Sequence, residues 1–167
     1  MSADLSRLED LIDAFSRQTI VVLGDLVADE FVFGEISRVS REAPVLILRH
    51  RETQRLPGGG ANAANNLADL GAKVLPVGVV GDDAAGRALV DYFRHKRVQT
   101  SGILRVPGWT TPRKTRYLAG FTHTARQQVL RVDHEPEPGA VPPKVRAALV
   151  KKARGFARRA SATLVSD

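Results

Sequence analysis

The residues best suited to chemistry lie in one tract, Pro57-Gly58-Gly59-Gly60-Ala61-Asn62-Ala63-Ala64-Asn65-Asn66. Three successive glycines let the chain turn tightly and leave peptide groups unshielded by any Cβ. Ala61, Ala63, Ala64, Leu67, Ala68 and Leu70 follow at helical spacing, and Gly71 stands where a C-terminal cap belongs. The glycine loop therefore feeds a helix N-terminus, whose free N–H groups and dipole favour oxygen-rich or anionic partners. Asparagine is a mediocre helix former, so Asn62, Asn65 and Asn66 in the first turns need another reason. Either they tie the loop to the helix by side-chain to backbone bonds, or they offer a polyhydroxylated ligand both a donor and an acceptor. Upstream, Asp25 and Asp29 follow a β-branched run, and ligands of open α/β sheets collect beyond the carboxyl ends of strands. Asp29 reads as a ligand contact; Asp25 reads as structural or mixed, because Asp also suits plain turns. Lys114, Arg116 and Arg131 bring positive charge to a later strand pair, as edge protection or as a clamp for phosphate.

Holding these residues in place requires alternating strands and helices. Leu5, Leu8, Leu11, Ile12 and Phe15 predict an amphipathic helix over 4–17. Residues 19–24, T-I-V-V-L-G, have the character of a strand buried in a parallel sheet. Residues 31–36 and 45–51 read as two strands joined by a polar, proline-containing connection, a small sheet projecting from the main one as a candidate lid. After the central helix come a strand over 73–80, a helix over 84–96 opened by Gly81-Asp82-Asp83 with Leu89, Val90 and Phe93 inward, and a short strand over 102–106. The 107–112 segment is a loop, 114–118 and 127–133 a second strand pair, and 162–167 a last strand preceded by a basic helix. The β-α-β-α alternation implies right-handed crossovers and a three-layered parallel sheet.

The 167 residues, 43% hydrophobic, suffice for one core and argue for one domain. The chain has no cysteine, which removes disulfides and thiolate metal sites and suits a reducing cytoplasm. No secretory signal and no membrane-spanning apolar run is present. A net charge of +7 leaves room for nucleic acid or an acidic ligand. Yet the bases from Lys144 to Arg159 alternate with Val145, Leu149, Ala153, Phe156 and Ala160 as on an ordinary surface helix. Aromatics, at 5%, do not interleave with them as stacking platforms for single strands. Nucleic acid is therefore disfavoured.

Gly58, Gly60 and Ala63 fit G-x-G-x-x-G/A with Asp82 at ribose distance, a dinucleotide pattern. The polar, turn-like 52–57 stretch stands where that fingerprint needs a buried strand end. No Walker A, G-x-S-x-G or H-E-x-x-H pattern occurs, and His50, His95, His123 and His134 have no shared metal spacing.

Taken in order, G-D-x-x-x-D after the first strand, a two-strand insertion, P-G-G-G-A-N, L-G-A-K-V and V-G-V-V-G-D-D resemble the ribokinase-like (PfkB) carbohydrate kinases. Within that family the sequence is most similar to the heptose-7-phosphate kinase domain of lipopolysaccharide-precursor synthesis, through Ser37-Arg38-Val39-Ser40-Arg41-Glu42-Ala43-Pro44-Val45, Lys114-Thr115-Arg116 and Gln127-Gln128-Val129-Leu130-Arg131-Val132-Asp133. The heptose kinases usually have P-G-G-A-A-N where this chain has P-G-G-G-A-N, which leaves Asn62 in register.

The resemblance implies a ribokinase-like fold, Rossmann-like in its parallel sheet, with an inserted β-sheet lid. It implies phosphoryl transfer from ATP with Mg2+ to a sugar or sugar phosphate. Asp29, Gly58, Gly59 and Asn62 would hold sugar hydroxyls, and Lys114, Arg116 or Arg131 would meet a substrate phosphate. The family's catalytic aspartate, in a G-A-G-D signature, belongs to a C-terminal half with the ATP pocket. Neither Gly24-Asp25 nor Gly81-Asp82 sits in that signature. The chain is thus expected to be the sugar-binding portion of a truncated kinase domain over 1–167, inactive alone, its other half encoded elsewhere or missing. Open lid strands suggest a homodimer. The rival expectations are a kinase for another sugar or nucleoside, a dinucleotide-binding fragment and a non-catalytic sugar-phosphate-binding module.

Overall fold

A computed structural model of the chain describes residues 5–121, 125–137, 139 and 141–166. Asp4 and Asp167, the expected outer ends of the first helix and last strand, lie outside the described residues, as does His123. The elements are α1 (Leu5–Ala14) with a 3-10 turn (Phe15–Arg17), β1 (Thr19–Gly24), β2 (Leu26–Val39), β3 (Leu46–Gly59), α2 (Gly60–Asp69), β4 (Lys73–Gly81), α3 (Ala84–His95), β5 (Ile103–Val106), β6 (Arg113–Gly120), β7 (Gln127–His134), α4 (Pro143–Ala157) and β8 (Ala162–Ser166).

Four of the strands form a parallel sheet in the order β5-β4-β1-β8. A parallel sheet is covered on both faces, which is why its strands are apolar without interruption. Ile20, Val22, Val74 and Val80 pack with Ala61 and Ala64 of α2 and Leu89, Val90 and Phe93 of α3. Val21 and Val77, fully buried, alternate to the other side, where α4 lies. The result is the expected three-layer arrangement. Helix α2 stops at the expected glycine: Gly71 has φ +90°, and its N–H donates to the Ala68 carbonyl at 3.0 Å. The basic helix α4 half-buries Val145, Leu149, Ala153 and Phe156, as a surface helix should. By contrast the leucine face of α1 stays exposed, and only Phe15 just beyond it reaches the core.

The second sheet has the order β3-β2-β6-β7, with β2 and β6 parallel and the outer pairs antiparallel. Its first two strands are far longer than 31–36 and 45–51: each runs 14 residues. Residues 52–57, read as turn-like from their polarity, are strand throughout. The reason is that one face of the lid meets solvent, so polar side chains there are no obstacle to pairing. Glu30, buried on the inner face, accepts from Arg55 Nε at 2.7 Å and Thr115 Oγ1 at 3.3 Å, which satisfies a carboxylate that would otherwise be costly to bury. The lid is joined to the main sheet at both ends, since β2 starts one residue after β1 and β3 runs straight into α2.

Candidate functional site

Register gathers the predicted residues on one face of the lid. In the parallel β2/β6 ladder Asp29 stands beside Lys114 and Phe31 beside Arg116; in the β6/β7 ladder Lys114 faces Asp133 and Arg116 faces Arg131. Arg116 Nη1 donates to Asp29 Oδ1 at 2.6 Å, and its guanidinium lies 5.2 Å from the Phe31 ring centroid. Arg131 Nε pairs with Asp133 Oδ1 at 3.0 Å. Two of the three expected phosphate-clamp bases are therefore committed to carboxylates, whereas Lys114 makes no ion pair among the described residues.

The glycine tract forms a strand-to-helix junction rather than a free loop. Gly58 lies under Asp29 so closely that a Cβ there would sit 2.8 Å from the carboxylate carbon. Gly59 has φ +53°, a conformation that suits glycine, and Gly60 N–H donates to the Asp25 carbonyl at 2.8 Å. Asp25 thus fastens the junction through its backbone while its side chain stays exposed. The asparagines divide by position. Asn65 accepts from Tyr92 Oη at 3.0 Å and Lys96 Nζ at 2.7 Å and donates to Asp69 at 3.2 Å, tying α2 to α3. Asn62 is exposed and makes no side-chain hydrogen bond among the described residues. Asn65 thus has a structural role, though through side chains of α2 and α3 rather than the loop-to-helix backbone bonds expected, and the Asn62 amide faces solvent.

Beside this junction a cavity of about 680 Å³ opens between the lid base and α4, lined by Asp25, Val27, Gly59, Trp109, Lys114 and Arg146 among others. Trp109 Nε1 and Arg113 Nε are buried with no hydrogen-bond partner among the described residues, while Arg113 Nη2 meets His134 Nε2 at 3.1 Å. Sequence reasoning missed Trp109 and Arg113, since a single tryptophan in a proline-rich loop and one more basic residue carry no periodic signal.

Gly81-Asp82-Asp83 does open α3, and its two aspartates do different things. Asp82 pairs with Arg87 at 3.1 Å. Asp83 caps the helix, accepting from Gly86 N–H at 2.7 Å, and also takes Thr111 N–H at 2.8 Å and the Thr111 hydroxyl at 2.7 Å. Burial pushes the Asp83 carboxyl up, but the Gly86 and Thr111 hydrogen bonds and the charge of Arg113 outweigh it and hold the group below its ordinary value of 3.8. A carboxylate with a depressed folded pKa contributes stability above the unfolded value and loses it as pH falls through the folded one. Urea midpoints measured downward from pH 5 should therefore fall more steeply below about pH 3.8 for the parent chain than for Asp83→Asn, whose contribution has no such titration.

The dinucleotide fingerprint does not suit this geometry: the glycines follow β3 of the lid sheet, where the motif needs a parallel-sheet strand, and Asp82 is held by Arg87. Among the described residues no three His, Cys, Asp or Glu side chains converge as a cation site. No described helix is long and apolar enough to cross a membrane.

Residues 17–126 match the profile described as "pfkB family carbohydrate kinase". Over 165 residues the chain is 37% identical to the bifunctional protein HldE of Hyphomonas neptunium, covering 97% of this chain and 32% of that protein. It is 44% identical over 126 residues to the bifunctional protein HldE of Gluconobacter oxydans, covering 75% and 25%. The chain thus spans about a quarter to a third of the length of these curated relatives. Among solved structures, Arabidopsis thaliana ribokinase complexed with ribose and ATP superposes with a TM-score of 0.60 at 20% identity, over 89% of this chain and 45% of that one. At that identity the likeness is one of fold.

Proposed function

Because the chain belongs to the pfkB family of carbohydrate kinases, we propose that it supplies the sugar-binding half of an enzyme that phosphorylates D-glycero-D-manno-heptose 7-phosphate at its anomeric position. The observation that carries this reading is the Asp29 carboxylate pressed against Gly58, with Arg116 holding one oxygen and the other left for a ligand. A carboxylate accepts only, so it accepts hydrogen bonds that sugar hydroxyls donate. The Gly58 and Gly59 backbone allows close approach, and Asn62, exposed near the start of α2, adds an amide. Arg116 orients Asp29, Lys114 meets the phosphate ester as an uncommitted cation, and Arg131 adds positive field beside it. The lid strands cover the sugar and keep water from competing. The heptose assignment rests on the S-R-x-S-x-E-A-P-V tract and on the HldE relatives.

ATP and Mg2+ serve the complete kinase. The part assigned to this chain is to bind, orient and shield the sugar, on the ground of the Asp29 carboxylate that lies over Gly58; the family's G-A-G-D signature does not occur in its 167 residues. In calorimetry the 167-residue chain should bind heptose 7-phosphate, and with ATP and Mg2+ it should form no bisphosphate. Supplying the C-terminal kinase portion of an HldE relative should restore turnover. Robust phosphorylation by the chain alone would overturn the division of labour, and preference for another sugar in a substrate panel would reassign the substrate.

The lid also fits a homodimer. Its outer strands β3 and β7 have open edges, and the hairpin tip exposes Val39, Val45 and Leu46. Leu46→Glu should shift sedimentation toward the monomer; a parent chain already monomeric at micromolar concentration would exclude pairing through the lid.

A further inference from the structure

The Gly81-Asp82-Asp83 tract has more to do than start a helix. Thr111, almost fully buried, donates its hydroxyl to Asp83 and accepts from Gly81 N–H at 2.8 Å. The 109–111 segment is pressed onto glycine at two points. A Cβ on Gly81 would lie 2.0 Å from the Trp109 carbonyl oxygen, and one on Gly86 would lie 2.8 Å from Thr111 Oγ1. Directly after Thr111, the Pro112 carbonyl accepts from Ala28 N–H at 2.8 Å, the bond at which the β2/β6 ladder begins. From there the register runs Ala28 beside Arg113, Asp29 beside Lys114 and Phe31 beside Arg116. A one-residue slip would turn every side chain of β6 to the opposite face.

We infer that Asp83 is a positioning residue for the sugar site: by clamping Thr111 to the end of β4 and the start of α3, it fixes the register that places Lys114 and Arg116 beside Asp29. The consequence for sugar binding rests on the function proposed above; the consequence for lid register does not.

Two variants separate this role from helix capping. In Asp83→Asn the amide oxygen keeps two acceptor bonds at the Oδ1 position, from Gly86 and the Thr111 hydroxyl, so the cap survives, asparagine being a good N-cap. The amide nitrogen then faces Thr111 N–H, donor against donor. Thr111→Val leaves Asp83 on its helix and removes only the bridging hydroxyl, and Thr111→Ser restores it. The experiment is residue-resolved amide exchange on the 167-residue chain, paired with calorimetric titration of heptose 7-phosphate.

In Asp83→Asn and Thr111→Val, Ala28 and the β6 amides should exchange about tenfold faster while β1 and β4 keep their protection, and the dissociation constant should rise about tenfold. Thr111→Ser should return both to parent values. Unchanged β6 protection, or a loss spread evenly over both sheets, would overturn the inference, the second because it signals lost stability only. A parent chain that fails to bind the sugar phosphate while the exchange results hold would sink the proposed function and leave the register role standing.

Discussion

Asp29→Ala should weaken binding of heptose 7-phosphate to the 167-residue chain by roughly 100-fold or more. A hydrogen bond to a charged group is worth about 1.5–3 kcal/mol. Two sugar hydroxyls losing this carboxylate therefore cost at least about 3 kcal/mol, near two decades of affinity. The fold should survive. Asp29 and Arg116 are each 22% exposed, and Arg116 stacks on Phe31, so the stranded guanidinium can still reach water. A stability loss of about 1–3 kcal/mol is expected, visible as a melting shift of a few degrees. Arg116→Met adds a discrimination. If Arg116 orients Asp29, its loss weakens phosphorylated and unphosphorylated heptose alike, by about tenfold; if it grips the phosphate, only the phosphorylated sugar suffers. Affinity unchanged in Asp29→Ala would remove the basis of the proposed site.

What the sequence discloses follows from how local each signal is. Thr19–Gly24 is β-branched, short and buried on both faces, and its bounds are plain from composition alone. Phe93, Leu89 and Val90 sit at helical spacing and are all buried, and Asp83 and Gly71 mark helix ends by their chemistry. The lid is another matter. Leu26–Glu30 falls outside the strand read over 31–36, and residues 52–57 look turn-like because they are polar; both are strand, stabilised by partners far along the chain. The parallel β2/β6 pairing joins residues 28–35 to residues 113–120, and no local pattern announces it.

The same limit applies to the site. That a carboxylate would meet the glycines was readable, and Asp29 does lie over Gly58. Which asparagine is free was not, because Asn62 and Asn65 differ only in whether Tyr92, Lys96 and Asp69 stand across from them. Nor could charge alone rank Lys114, Arg116 and Arg131, since their difference is the presence of Asp29 and Asp133 within reach of two of them. Side-chain type indicates what a group can do, and the tertiary neighbour decides whether it is at liberty to do it.

Gly58→Ala should cut affinity for the sugar phosphate by about 100-fold while leaving the melting temperature nearly unchanged. The added Cβ would lie 2.8 Å from Asp29 Cγ and Oδ2 and 3.1 Å from Oδ1, inside the roughly 3.5–4.0 Å of a normal contact. The obstructed atoms are the end of a side chain, so the strands need not move: the carboxylate yields, straining its 2.6 Å bond to Arg116 and losing its aim on the sugar. A misplacement of about 1 Å at such a site can cost two decades. Gly81→Ala is the converse case. Its Cβ would meet a backbone carbonyl at 2.0 Å, which cannot swing aside, so overpacking of about 1–3 kcal/mol should appear in stability. The decisive measurement is a double-mutant cycle. If Gly58→Ala acts through the carboxylate, it should do almost nothing in the Asp29→Ala background, and the coupling should equal nearly the whole single-mutant effect. Additive losses would mean that Gly58 serves the ligand through its own backbone, and that the pressing of Asp29 onto it is incidental to binding.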